Sequence, residues 1–384
     1  MGGKTLKILT STIFSVAVSL AAVAHADEIK LPAQLSWTAY DTGTSGFNQA
    51  VAIGGALQRA TGTSLRVLPG KSDISRSQPL RQRRVEFSAT GVGGSYMAQE
   101  GVFEFGARDW GPQAVRIIMA NTGSTAGLSL AVAGDIDVET YADLRGKRVA
   151  WIAGAPGLNV NTEAYLAYAG LTWDDVERVE FGGYGASWKG LIDGQVDALF
   201  GSTNTGPAYE AASAPRGLVW PPVSPDDDEA FARMTDVAPY YTRMRITVGA
   251  TIDGTDGVDG ANYAYPVLVA MSDTDLDLAF NMTKALVELF PDYSGQAPGI
   301  DGWSIDSQDF TWVIPYHDGA IAYFKERGVW SNEAQAHNDQ LVARQQVLRA
   351  AWDALEAQNP GDWEAAWTEA RRKALSDAGM QVVF

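Results

Sequence analysis

Four loops in this chain carry residue types that can hold a small polar group without reacting with it. They are Thr42-Gly43-Thr44-Ser45-Gly46, Thr90-Gly91-Val92-Gly93-Gly94-Ser95, Ala153-Gly154-Ala155-Pro156-Gly157 and Gly201-Ser202-Thr203-Asn204. Each offers backbone N–H groups at glycine or small residues, and three add hydroxyls. The first and third each open an apolar helical stretch. A helix amino end has free N–H groups and a positive dipole end, which suits an anion. No loop alone decides the matter. None has the Lys-Ser/Thr pair of a phosphate loop or the full G-x-G-x-x-G spacing. Their recurrence carries the weight, since ligands of open α/β sheets sit outside the carboxyl ends of strands.

Around these loops stand further candidates. Asn159 and Asn161 follow the third loop and either face a ligand or cap the helix, the commoner use of Asn there. Tyr96 and Tyr184 either line a wall or belong to the core. LPGKSDISRSQPLRQRRVEF holds the densest basic run, with Arg66, Lys71, Arg76, Arg81, Arg83 and Arg84 among the chain's 29 Lys and Arg. Lys71 and Arg76 follow a predicted strand and are best placed to face a cleft. An Arg there could hold a carboxylate through two parallel hydrogen bonds. A solvated basic face is the plain alternative.

Residues for covalent chemistry are scarce. The chain has no Cys and three His. His25 lies in the leader and His337 in a polar helix start. His317 precedes Asp318 at a helix entry, without a nucleophile elbow to serve. The Asp-rich run 251–266 loosely resembles a calcium loop but lacks the bidentate Glu. We therefore expect no catalytic residue, no metal site and no cofactor.

Stepping outward, the first residues read as a secretory leader. Lys4 and Lys7 precede an apolar stretch from Ile8 to Val23, and Ala24-His25-Ala26 is a small-x-small cleavage site. Cleavage after Ala26 would leave 358 of the 384 residues and move the net charge from −17 to −19. So acidic a chain is a poor nucleic-acid binder. The expected location is the periplasm, as a monomer.

Strand-like runs alternate with helical ones. LSWTAY (35–40), LRVLPG (65–70), VEFSATG (85–91), VRIIMA (115–120) and LSLAVAG (128–134) read as strands. So do Arg148–Ile152, VERVEF (176–181) and VDALFGS (196–202). The alternation predicts βαβ units, mainly parallel sheets and two α/β lobes. PPVSPDDDEA (221–230) and 251–266 read as loops, and beyond Asp273 the pattern turns helical.

Several segments in order resemble the TAXI family, exported solute receptors of TRAP transporters. They are Trp37–Leu57, DISRSQPLRQRRVEFSATGVGGSYMAQEGVFEFG, YADLRGKRVAWIAGAPGLNVNTEAYLAYAGL, GQVDALF and PYHDGAIAYFKERG. The resemblance covers about residues 35 to 330. Where many members carry Gly-Gly-x-Tyr-Tyr in the first turn, this chain has Ser45-Gly46-Phe47-Asn48. The resemblance implies a type II periplasmic-binding-protein fold with a hinge, a central cleft and a helical C-terminal region. Its expected boundaries are a leader at 1–26, lobe 1 from 27–128, lobe 2 from 129–250, and a hinge return with C-terminal helices at 251–384.

It also implies capture of a small organic anion, a glutamate- or 2-oxoglutarate-like dicarboxylate, for a TRAP membrane permease. The expected ligand-binding set is Thr42, Gly43, Thr44, Ser45, Gly46, Lys71, Arg76, Thr90, Gly91, Tyr96, Ala155, Pro156, Gly157, Asn159, Asn161, Tyr184, Thr203 and Asn204. An ABC importer would use a receptor with similar lobes. An enzyme on the same lobes is a weaker reading, because no nucleophile and base stand out.

Overall fold

The computed structural model describes residues 1–2 and 28–384; the leader expected from Lys4 to Ala26 lies outside them. The first alternation is β1 (Gln34–Ala39), α1 (Ser45–Thr61), β2 (Ser64–Pro69), α2 (Asp73–Arg81), β3 (Phe87–Thr90), α3 (Ala98–Glu100) and β4 (Val115–Ala120). The second is β5 (Leu128–Ala133), β6 (Arg148–Ile152), α4 (Pro156–Tyr168), β7 (Glu177–Phe181), α5 (Tyr184–Ile192), β8 (Ala198–Ser202), α6 (Gly206–Ser213) and β9 (Leu218–Val219). Then come α7 (Asp228–Val237), β10 (Thr242–Ile246), β11 (Val258–Asn262) and β12 (Val267–Met271). The chain closes with α8 (Leu276–Glu288), α9 (Phe290–Tyr293), α10 (Asp318–Glu326), α11 (Asn332–Gln358) and α12 (Trp363–Asp377).

Two five-stranded sheets result, β2-β1-β3-β12-β4 and β7-β6-β8-β5-β9. Each keeps parallel pairs at one side, β2-β1-β3 and β7-β6-β8. Each also takes one antiparallel strand delivered from the other half, β12 and β5. The mainly parallel expectation therefore holds for only one side of each sheet. Every residue of β5 and β12 is buried, as their unbroken apolar runs require of central strands. This is the two-lobed α/β architecture of the type II periplasmic-binding-protein fold.

The chain passes between the sheets twice, from β4 to β5 and from β11 to β12. The two passages are hydrogen-bonded side by side. Tyr265 N–H donates to Asn121 O at 2.8 Å, and Asn121 N–H to Pro266 O at 2.9 Å. Next to them β10 and β11 form an antiparallel ribbon. Its second strand falls inside the run read as a loop. Ribbon pairing overrides the Gly-Asp composition, and Ile246 fills the space over two glycines. A Cβ on Gly127 or Gly260 would lie 2.1 or 2.3 Å from its Cδ1. The loop reading of 221–230 also ends early, because Asp227 caps α7 through the Ala230 N–H.

Helices α11 and α12 pack on the first lobe around a buried charge. Glu100, fully buried, accepts from Arg344 Nε and Nη2 at 2.7 Å each and from Arg371 Nη2 at 2.6 Å. Trp367 Nε1 donates to Gly101 O at 2.5 Å, and Trp352 stacks edge-on against Trp363 and Trp367.

Candidate functional site

The loops after β1, β2, β3, β6, β7 and β8 meet between the lobes, and the two passages complete the wall. Sheet topology brings them there, since the three strands of each set run parallel within their own sheet and present their carboxyl ends to the cleft. The cavity measures about 40 Å³, roughly three to four times the space one ordered water needs.

The first-lobe wall is built on the start of α2. Ser72 caps it through the Ser75 N–H, which sets Asp73 and Arg76 on neighbouring turns of one face. Both are buried. Arg76 Nη2 donates to Asp73 Oδ1 at 2.5 Å and Nη1 to Gly70 O at 3.2 Å. Its guanidinium carbon lies 4.1 Å from the Tyr40 ring centroid, a cation–π stack. Arg76 Nε has no partner.

The second-lobe wall is the amino end of α4, and Asp73 reaches across to it. Gly157 N–H donates to Asp73 Oδ2 at 2.9 Å. The lobes touch here because both glycines lack side chains. A Cβ on Gly93 would lie 2.0 Å from Asp73 Oδ2, and one on Gly157 would lie 2.8 Å from the Gly93 nitrogen. A second contact joins the lobes where the Gly43 carbonyl approaches Gly206, whose Cβ would stand 3.0 Å away.

Four tyrosines face the cavity: Tyr40, Tyr184, Tyr263 and Tyr265. Burial pushes every one of these phenols above its ordinary pKa, so they stay protonated. They offer rings and neutral hydroxyls. Asn161 sets two hinge tyrosines in place: its Nδ2 donates to Tyr263 OH at 2.8 Å, and its Oδ1 accepts from Tyr240 OH at 2.8 Å.

Of the expected ligand-binding set, six line the cavity: Lys71, Arg76, Gly91, Gly157, Asn161 and Tyr184. The rest lie elsewhere. Thr44 caps α1, accepting from Phe47 N–H at 3.3 Å, and its hydroxyl donates to Asp41 O. Thr42, Gly43, Ser45 and Gly46 form the turn around that cap, with Gly43 at a φ of 86°. Thr90 is buried behind the wall. Tyr96 packs on Tyr240 and Phe384. Ala155 and Pro156 begin α4. Asn159 bonds both backbone groups of Ile152 at 2.9 Å. Thr203 bridges the hinge, accepting from Gly127 N–H and donating to Val248 O. Asn204 accepts from the Ser202 hydroxyl at 2.7 Å.

Sequence reasoning missed Tyr40, Asp73, Tyr263 and Tyr265, while Gly93, Gly201 and Ser202 stood in its candidate loops. For Asp73 a signal existed in its i,i+3 spacing to Arg76. The hinge tyrosines gave none, because they reach the cavity only through the return of the chain from β11. Among the described residues no three His, Cys, Asp or Glu side chains gather as a metal site. No described helix is long and apolar enough to cross a membrane.

A second groove of about 650 Å³ also spans the lobes. Trp151 of β6 forms one side, and Phe103, Trp363 and Phe384 lie on the other.

Comparison with solved structures finds similar chains at low identity. An ancestral arginine-binding protein bound to arginine is 15% identical over 71% of this chain and 99% of that one, with a TM-score of 0.41. A periplasmic binding protein of an ABC transporter from Brucella ovis, with glutathione bound, is 12% identical over 68% and 70%, at 0.42. The alkanesulfonate-binding protein of Xanthomonas axonopodis pv. citri, bound to MOPS, is 14% identical over 81% and 94%, at 0.40. The family model described as NMT1-like matches residues 38–328, from the end of β1 to just short of α11, and the chain belongs to the NMT1-like family.

Proposed function

We propose that this protein is an exported solute receptor. Its two lobes close on a small polar solute and present it to the membrane component of an importer. The observation that carries this reading is the shared cavity: strand ends from both sheets supply its wall, and two paired passages join the lobes beside it. The wall offers rings, hydroxyls and backbone groups, and its one serine hydroxyl, on Ser202, is engaged by Asn204. That suits capture and release without turnover. The leader read in the first 26 residues of the sequence supports export.

For the importer, the ordered segments resembling TAXI receptors support a TRAP-type permease. The Brucella protein, named as part of an ABC transporter, supports the second reading, an ABC importer. Uptake by reconstituted vesicles separates them, since an ABC importer needs ATP and a TRAP permease an ion gradient. For the solute, Lys71 stands in the wall with no carboxylate partner among the described residues and is the group to meet a carboxylate.

The test uses residues 27–384, unfolded and refolded to strip carried solute. Melting temperature and X-ray scattering are followed with organic acids, amino acids, sulfonates and sugars. One class should raise the melting temperature with concentration and shrink the radius of gyration. If every compound leaves both unchanged, the receptor reading is wrong.

A further inference from the structure

Two devices in the cavity wall are suited to an anion, and one side chain of the protein occupies both. The first is the amino end of α4. Its Gly157 N–H donates to Asp73 Oδ2 at 2.9 Å. The next two N–H groups, of Leu158 and Asn159, turn back to Ala155 O. The second device is Arg76. A carboxylate is held best by two parallel N–H groups on one edge of a guanidinium. On the Nε–Nη2 edge, Nη2 is already bonded to Asp73 Oδ1 at 2.5 Å, and Nε is left buried and unpartnered.

What remains is one charge of each sign. Lys71 and Asp41 line the cavity, and neither has an ion-pair partner among the described residues. Both stand against the amino end of α5. A Cβ on Gly183 would lie 3.5 Å from Lys71 Cβ, and one on Gly185 would lie 3.6 Å from Asp41 Oδ2. A solute bringing two carboxylates could place one on Lys71. Its second would find the guanidinium edge half taken and would approach the carboxylates of Asp41 and Asp73.

Resting on the solute-receptor reading, we infer that the cavity selects solutes that carry at most one carboxylate and excludes dianions. Asp73 is the specificity-determining residue that turns dicarboxylates away. The inference departs from the dicarboxylate that the TAXI resemblance implies.

The test uses the refolded chain and two matched pairs that differ by one charge, L-glutamate with L-glutamine and succinate with succinamate. Millimolar sulfate at constant ionic strength serves as a bare dianion. In the wild type, the singly amidated member of a pair should bind about tenfold or more tightly than its partner, and sulfate should leave the melting temperature unchanged. In Asp73→Asn the order should reverse, and sulfate should stabilise the protein. Wild type that responds to glutamate, succinate or sulfate as strongly as the variant overturns the inference. If Asp73→Asn does not fold, Lys71→Gln on an exposed side chain replaces it. Loss of the monocarboxylate there supports the inference, and tight dicarboxylate or sulfate binding by wild type still overturns it. Should no solute of any class bind wild type, the receptor reading fails, and the sulfate comparison alone decides what Asp73 does.

Discussion

Glu100 shows how much can hang on one carboxylate. It is fully buried and is ion-paired with two guanidinium groups, Arg344 and Arg371, that belong to different helices. Removing one partner from a buried ion pair leaves an uncompensated charge and costs about 3–5 kcal/mol. Glu100→Gln should lower stability by about that amount in a denaturant titration, and Glu100→Asp by less. His317 makes a prediction in pH. It caps α10, its Nδ1 accepting from Gly319 N–H, and its Nε2 is buried without a partner. Burial lowers its pKa, against the nearby carboxylates of Asp318 and Asp273; Arg116 adds to the lowering. A depressed folded-state pKa means the unfolded chain binds the proton first. The contribution of His317 is thus intact above the unfolded value near about 6.5 and is lost as pH falls toward the folded one. His317→Asn, which keeps a capping side chain, should lose less stability between pH 7 and pH 5 than wild type. At this scale the sequence was a partial guide. Arg76 was legible as a cleft residue, but its neutralisation by Asp73 depends on a rotamer and on a glycine from the opposite lobe.

At the scale of elements, the contact between α2, the loop at Gly93 and α4 is set by absent side chains. Gly93→Ala would drive a methyl group onto Asp73 Oδ2, where an ideal Cβ stands only 2.0 Å away. The lobes should then fail to meet. We expect at least about tenfold weaker solute binding, with far-UV circular dichroism unchanged; calorimetric titration checks it. Gly157→Ala should act in the same direction. Elements with continuous apolar runs were readable to the residue, as with Val115–Ala120 and Arg148–Ile152. Those defined by a distant partner were not. β11 runs through VDGAN, a turn-like composition that becomes a strand only because β10 pairs with it. β12, central to the first sheet, is short and lies between a loop and a helix, so its role in the sheet could not be read locally. Pro79 lies inside α2, which runs from Asp73 to Arg81. The missing N–H falls near the end, where little helix remains to break.

For the whole molecule, the two-lobed plan was legible from alternation, but not which residues pair at its hinge. The hinge is a pairing of residues far apart in sequence, Asn121 with Tyr265 and Pro266. The C-terminal pair α11 and α12 lies beyond the family match, which ends at residue 328. It is nonetheless bound into the first lobe through Glu100 and Trp367. A chain ending at Gly328 should expose that carboxylate and the apolar faces around it. We expect it to lose the cooperative thermal transition of the full chain, as followed by circular dichroism. The groove lined by Trp151 on one lobe and Trp363 on the other has an optical consequence. Any change in the angle between the lobes changes the hydration of those indoles. Closure should shift tryptophan emission to shorter wavelength and opening should shift it back, so solute capture can be timed in stopped flow without a dye. Trp151→Phe should remove most of that signal while binding persists.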